Sequence, residues 1–400
     1  MKCAILGYGT VGRGAAELLA EPEKISAAAG QSVELAYILV RHDYPGDPFA
    51  DLMVQDFSVI EADPEVDVVA EVIGGVGAAY DYTRRALQAG KSVVTSNKEL
   101  VAAHGAELRT LAESKRVSYL FEGSVCGGIP LVGPLSQDLA ANRIDEIYGI
   151  LNGTTNYILT TMETSGRSFT EALQKAQQLG YAEADPTDDV EGLDACRKIA
   201  ILADLAFGHT IDPDKIPTQG ITGITSGDLE LAQELGYTIK LLGRAIRTPD
   251  GCCAFVAPHL VPQGHMLAAV SGVMNACTVL ASNVGEVLFY GPGAGKRPTA
   301  SSVVADIAQA VRAGDRPWNP DLGISSGRLG DPAGLVSSWY VRTEAAPDDV
   351  LTYFEKSVPL YGSTGECGFI TEPMSRTALA PKLAGVQASA AYRALAKNII

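Results

Sequence analysis

The hydrophobic positions of the first hundred residues fall into short apolar runs separated by amphipathic stretches. Residues 2–6, 33–40, 66–73 and 92–95 have the length and apolar density of strands buried in a sheet. Residues 11–20 and 80–89 repeat their apolar positions at helical spacing, and Gly90 follows the second as a stop. Such alternation with short turns predicts an α/β domain built on a doubly wound parallel sheet.

From about residue 145 the pattern changes. A strand is expected at 147–151, a helix after Thr155 and a strongly helical run over 192–207. Residues 256–262 and 266–290 read as further strands of an antiparallel or mixed sheet. A turn, Gly291-Pro-Gly-Ala-Gly295, precedes a helix over 299–313, and Gly314-Asp-Arg-Pro-Trp-Asn-Pro320 ends that helix as a linker. Beyond it the pattern predicts strands at 337–343 and 366–371, a helix at 348–356 and mostly helix from Arg376, a small third α+β unit.

Composition narrows the class. With 46% hydrophobic and 20% charged residues, the 400-residue chain has enough apolar material for two or three cores and is not globally disordered. A net charge of -16 without a basic run argues against a nucleic-acid partner. The seven cysteines form no CxxC pair and the five histidines no HxxxH or HExxH pair. Reduced, packed thiols are therefore expected, and a transition-metal site has no support. The uncharged stretch 266–283 is interrupted by polar residues and falls short of the roughly 20 apolar residues of a membrane span. Neither a span nor a cleavable leader is expected, and the expected location is the cytoplasm.

The first candidate chemistry is Gly7-Tyr-Gly9-Thr-Val-Gly12, between the first strand and the first helix. There Gly7 permits the tight turn, Gly9 lets backbone approach a pyrophosphate, and Gly12 lets helix and sheet close on each other. With Thr10 and Val11 these are the expected dinucleotide contacts. The second strand closes on Val40-Arg41-His42 rather than on the acidic residue that holds a ribose 2′-hydroxyl. Arg41 could face the 2′-phosphate of NADP, or be a solvated loop residue. NADP(H) is the expected coenzyme, with NAD(H) usable.

Polar residues concentrate in three further places: Thr95-Ser-Asn-Lys98, Asn152-Gly-Thr-Thr-Asn156, and the acidic segment 180–198. Lys98 follows the fourth strand, at the edge where parallel sheets present ligands. Lys198 lies four residues after Asp194, so the two share a helix face, either as a proton donor with its orienting carboxylate or as an ordinary surface pair. Asp188 and Glu191 have the spacing of a helix-capping box.

At these segments the chain resembles the homoserine dehydrogenase family. The resemblance rests on Gly149-Ile-Leu-Asn-Gly-Thr-Thr-Asn-Tyr-Ile158 and on Leu179-Gly-Tyr-Ala-Glu-Ala-Asp-Pro186, continued by Asp189, Gly192, Asp194 and Lys198. Glu122-Gly-Ser-Val-Cys-Gly-Gly-Ile-Pro130 and Gly291-Pro-Gly-Ala-Gly295 with Pro298-Thr-Ala300 also match, so it covers residues 2–325. It implies reversible NAD(P)-dependent interconversion of L-homoserine and L-aspartate 4-semialdehyde, in threonine and methionine biosynthesis. Lys198 then corresponds to the proton-donating lysine, Lys98 to one near nicotinamide and substrate, and Glu183, with Asp194 and Asp189, to the seat of the substrate ammonium. Gly153 and Thr154 join the substrate pocket, and Gly295 a segment returning to the cofactor.

The same resemblance implies a Rossmann-type domain over 1–144 and 291–320, a catalytic and dimerisation domain over 145–290, and a homodimer or homotetramer. It implies a sodium ion held by backbone oxygens at Glu122, Val125, Gly127 and Ile129. Residues 331–400 correspond to an abbreviated regulatory domain of the ACT type. Its effector turn usually reads Asp-x-Pro-Gly, where this chain has Ala345-Ala-Pro-Asp-Asp-Val350. Weak or absent threonine inhibition is expected.

Overall fold

The computed structural model describes residues 1–249, 251–323, 327–362 and 365–395. The chain divides into two compact units. One comprises Met1–Asp145, Ala200–Asp214 and Leu280–Gly327; the other holds Glu146–Ile199, Lys215–Val279 and the chain from Arg328 on.

The first unit is built on a parallel sheet of β1 (Lys2–Leu6), β2 (Glu34–Leu39), β3 (Met53–Val54), β4 (Val66–Glu71), β5 (Ser92–Thr95) and β6 (Tyr119–Leu120), in the order β3-β2-β1-β4-β5-β6. Residues Cys3 to Leu6 are completely buried, which is why β1 reads as an unbroken apolar run. The edge strands β3 and β6 have two residues each, too few to leave a pattern. The helices Pro22–Ala29, Phe57–Ala62 and Lys98–Lys115 extend the sequence reading, which for the first hundred residues identified the helices now seen at Thr10–Leu19 and Gly77–Gln88. The later helix Lys296–Ala313 returns to this unit and packs Val303, Ile307 and Val311 into the same core as Cys3, Ile5, Val68 and Val94.

In the second unit, β7 (Ile144–Ile150), β8 (Tyr237–Thr248), β9 (Gly251–Pro262) and β10 (Met274–Ala281) lie in the order β10-β7-β8-β9. β8 pairs antiparallel with both β7 and β9. β8 was not foreseen: Lys240, Gly243, Arg244 and Arg247 break its apolar alternation, yet its first seven residues are buried. Residues Met266–Ala269, expected as strand, form a single 3₁₀ turn before β10.

The C-terminal elements follow the order strand Ser338–Thr343, helix Pro347–Tyr353, strands Leu360–Tyr361 and Cys367–Ile370, helix Arg376–Gly385, strand Ala390–Ala394. Their strands continue the sheet from β9, because Ala390–Ala394 pairs parallel with it and antiparallel with Ser338–Thr343. Helix was expected from Arg376 onward. The alanine-rich run 388–394 favours helix by propensity, but a sheet slot with a partner on each side overrides that preference. The last residues of the expected 331–400 unit, 396–400, and its residues 363–364 lie outside the described residues, as do residues 324–325 of the 2–325 resemblance. Among the described residues no helix is long and apolar enough to cross a membrane. All seven cysteines are buried thiols.

Candidate functional site

Gly7 leaves β1 with φ +103°, and a Cβ there would sit 3.1 Å from the Val72 carbonyl oxygen. At Gly12 a Cβ would sit 2.1 Å from the Gly7 carbonyl oxygen, so the helix Thr10–Leu19 approaches the strand as closely as glycine allows. Gly9 has nothing within 4 Å of its missing Cβ, which leaves its face open towards the helix N-terminus. Sequence reasoning missed Gly14, whose Cβ would lie 2.7 Å from the Lys296 carbonyl oxygen; it admits the returning helix. Gly295 caps that helix with φ +128°.

A cleft of ≈ 520 Å³ opens at this turn, lined by Gly7 and Gly9, by Arg41, His42 and Tyr44 after β2, and by Gln55. It lies where the sheet order reverses beside β1, at the carboxyl ends of the strands. Its lining contains no carboxylate, and Arg41 is exposed. Arg13 stacks 4.4 Å above Tyr8 and pairs with Asp47 at 3.3 Å, bracing the turn from the side.

Lys98 is the first residue of the helix Lys98–Lys115, also in the first unit. Asn97 caps that helix, accepting from the amides of Glu99 and Leu100, and donates to the Gly75 carbonyl at 2.6 Å. The adjacent Thr95 hydroxyl donates to Glu71 at 2.6 Å. Burial pushes the Glu71 carboxyl up, so a protonatable group sits inside the sheet where the sequence reading had only an apolar strand.

In the second unit, four polar residues form one chain of hydrogen bonds. The buried Lys198 ammonium donates to Asp194 at 2.6 Å and to the Leu151 carbonyl at 2.9 Å. Asn152 donates to Asp194 at 2.9 Å and to Asp189 at 2.7 Å, while its Oδ1 accepts from Thr155 and caps the helix Gly153–Ser165. Burial, then the Asp194 charge, pushes the Asp189 carboxyl up. Thr154 donates to the Tyr181 carbonyl at 2.7 Å, tying this helix start to the acidic segment. Gly153 allows the Val273 carbonyl oxygen within 2.6 Å of where a Cβ would be.

The i,i+4 reading of Asp194 and Lys198 thus holds as geometry, but the pair is buried rather than on the surface. Asp188 instead binds Arg197 at 2.6 Å. Glu183 is exposed and its side chain stays outside the network; among the described residues only its carbonyl is engaged, by Gln177. The network's central member, Asn152, was quoted in a motif but given no role. Its position directly after a strand and before a helix is the signal that identifies it as a cap.

In the segment 122–129 the Glu122 carboxylate accepts from the amides of Leu131, Val132 and Gly133. Cys126 and Gly127 both take left-handed backbone, φ 54° and 53°, which curls successive carbonyls around the loop. The Gly127 carbonyl accepts from Ser302 at 2.7 Å and keeps a second lone pair. Oxygens of this kind fit a hard cation.

Two family models match, "Homoserine dehydrogenase, NAD binding domain" over residues 7–122 and "Homoserine dehydrogenase" over residues 130–308. The chain is 45% identical over 355 residues to a homoserine dehydrogenase of Pseudomonas aeruginosa, covering 86% of this chain and 82% of the relative. It is 39% identical over 369 residues to one from Lactococcus lactis, covering 91% and 83%. A crystal structure of a homoserine dehydrogenase from Thiobacillus denitrificans superposes with a TM-score of 0.90 at 34% identity, over 99% of this chain and 98% of that one. A hyperthermophilic archaeal homoserine dehydrogenase in complex with NADPH gives 0.66 at 28% identity, over 77% and 97%.

Proposed function

The chain belongs to the homoserine dehydrogenase family, and from that premise we propose how its residues interconvert L-homoserine and L-aspartate 4-semialdehyde. The observation that carries the reading is the buried chain Lys198–Asp194–Asn152–Asp189 at the start of the helix Gly153–Ser165.

The bound dinucleotide supplies or accepts the hydride. Reduction of the aldehyde leaves a negative oxygen, and the proton for it is held at Lys198 Nζ. Asp194 is occupied by Lys198 and Asn152, so it orients the ammonium rather than binding substrate. Asp189 and the exposed Glu183 offer carboxylates to the substrate ammonium. The helix start at Gly153 and Thr154 presents amide groups and a positive dipole end to the substrate carboxylate. Lys98, first in its own helix, serves the cofactor end.

Arg41, in a cleft lining without a carboxylate, favours NADP(H) over NAD(H). Backbone oxygens at Glu122, Val125, Gly127 and Ile129 would hold a sodium ion, which would fix the shape of this loop. The ACT-like C-terminal elements give weak or no threonine inhibition, and the enzyme works as a homodimer or homotetramer.

The test follows NADP reduction with L-homoserine. Lys198→Ala is expected to lower kcat by about 10²–10⁴-fold while NADPH binding, read by fluorescence, stays near the parent value. Equal loss of both would make Lys198 structural and reject the assignment.

A further inference from the structure

Glu71 ends β4 and Thr95 ends the neighbouring β5, at the carboxyl edge of the parallel sheet. Glu71 is 0% exposed. Burying a carboxyl is costly, and an apolar residue would pack the end of β4 without that cost. What the position gains is a set of bonds that reach two separate segments. One oxygen accepts from the Ile73 amide at 2.8 Å, and the other from the Thr95 hydroxyl at 2.6 Å. The Ser96 amide also donates to the Glu71 carbonyl at 3.4 Å.

The bonds close into a ring. The Thr95 hydroxyl oxygen accepts from the Asn97 amide at 3.0 Å, and the Asn97 side chain donates to the Gly75 carbonyl at 2.6 Å. From Gly75 the chain runs back through Gly74 to Ile73. Gly74 and Gly75 both take left-handed backbone, φ 84° and 70°, in a loop outside any helix or strand. With no ladder of its own, this loop takes its shape from the bonds at its two ends.

Each half of the ring borders the coenzyme region. Val72 and Ile73 line the cleft at the dinucleotide turn. A Cβ at Gly7 would sit 3.3 Å from the Ile73 Cα, so a shift of this loop reaches the turn directly. On the other side, Asn97 caps the helix that Lys98 begins. The cap uses only the Asn97 oxygen; the bond from its nitrogen to Gly75 is additional.

We propose that Glu71 is a positioning residue for the coenzyme: its ring with Thr95, Asn97 and Gly75 holds the cleft wall Val72–Ile73 in register with the turn that carries Lys98. Being fully buried, Glu71 acts through those segments rather than on the coenzyme itself. The wall is then in its binding shape before the coenzyme arrives, which removes an ordering cost from binding. This inference rests on the dinucleotide occupying that cleft.

Two variants open the ring at different bonds. Glu71→Met keeps a straight side chain of similar length but offers no carboxyl oxygen. Asn97→Ser keeps a helix cap but is too short to reach Gly75. In each, Kd for NADPH, read by its fluorescence, and KM for NADP with L-homoserine should rise about tenfold. The kcat at saturating coenzyme should stay within about twofold of the parent. A purely structural role would instead lose active molecules and lower kcat at unchanged KM. In the coenzyme-free chain, Asn97→Ser should quicken hydrogen exchange at the Ile73 amide, whose own bond to Glu71 is not the one removed. Unchanged NADPH binding in both variants, a lower kcat at unchanged KM, or Ile73 exchange indifferent to Asn97→Ser would overturn the positioning role. Gly9→Ala checks the premise. Normal NADPH binding there would remove the cleft reading and this inference with it. Weakened binding in Gly9→Ala beside normal binding in both ring variants would overturn this inference alone.

Discussion

Asn152 does two jobs with one side chain. Its oxygen caps a helix and its nitrogen holds two carboxylates together. Asn152→Ala should cost about 1 kcal/mol from the lost cap. It should also lower kcat/KM for homoserine by more than that stability loss explains, because Asp189 and Asp194 then repel each other without a shared donor. Thermal melts beside steady-state kinetics separate the two effects; unchanged kinetics would remove Asn152 from the site. Asp204 makes a pH prediction. Burial pushes its carboxyl from the ordinary 3.8 to about 7, against the bond from the Gly323 amide at 2.6 Å. Between those values the folded chain keeps a proton that the unfolded chain has released. Stability therefore falls as pH rises through that window and levels off above it. Asp204→Asn, which can still accept from Gly323, should show a flatter dependence of Tm on pH between about 4 and 7. Chemistry at this scale was legible only in part. Lys198, Asp194 and Asp189 could be picked out as residue types in a motif, but nothing in the apolar segments around Asp204 and Glu71 reveals which partners these carboxyls meet or that burial pushes them up.

Among elements, the strand–turn–helix at Gly7 was the most legible, because three glycines at fixed spacing answer three separate steric demands. Two of them can be told apart experimentally. Gly12→Ala places a Cβ 2.1 Å from the Gly7 carbonyl oxygen, so it should destabilise the fold by about 1–3 kcal/mol. Gly9→Ala meets nothing within 4 Å, so its melting temperature should match the parent while NADPH binding weakens at least about tenfold. A Gly9→Ala variant that binds NADPH normally would place the pyrophosphate elsewhere. Strands were harder. β8 carries three cations and a glycine within a buried sheet, and only its partners β7 and β9 make it a strand. Lys240 within it is buried with its ammonium on the Val270 carbonyl at 2.6 Å, and burial pulls it down to about 8.

For the whole molecule, the two compact units are interleaved in sequence, and the long helix Leu193–Phe207 contributes to both. No pattern along the chain announces that division, since a helix reads the same whichever core its face enters. The C-terminal strands continue the sheet of the second unit, so they also cover an edge. Truncation after Gly327 would strip Ala390–Ala394 from β9 and expose paired backbone groups along a mostly buried strand. The truncated chain is expected to aggregate, visible as light scattering at concentrations where the full chain is clear. A soluble truncated chain of normal activity would show that β9 tolerates an open edge.

Some of this protein followed from the sequence alone. The doubly wound sheet, the dinucleotide turn and the motifs that mark the family depend on local spacing, which a linear chain records directly. Tertiary structure decided what depends on partners distant in sequence. It made a strand of Ala390–Ala394, buried the Asp194–Lys198 pair, and joined it to Asn152 and Asp189. Burial and hydrogen bonding set how such groups behave, and both are properties of what the fold brings alongside a residue, not of the residues next to it in the chain.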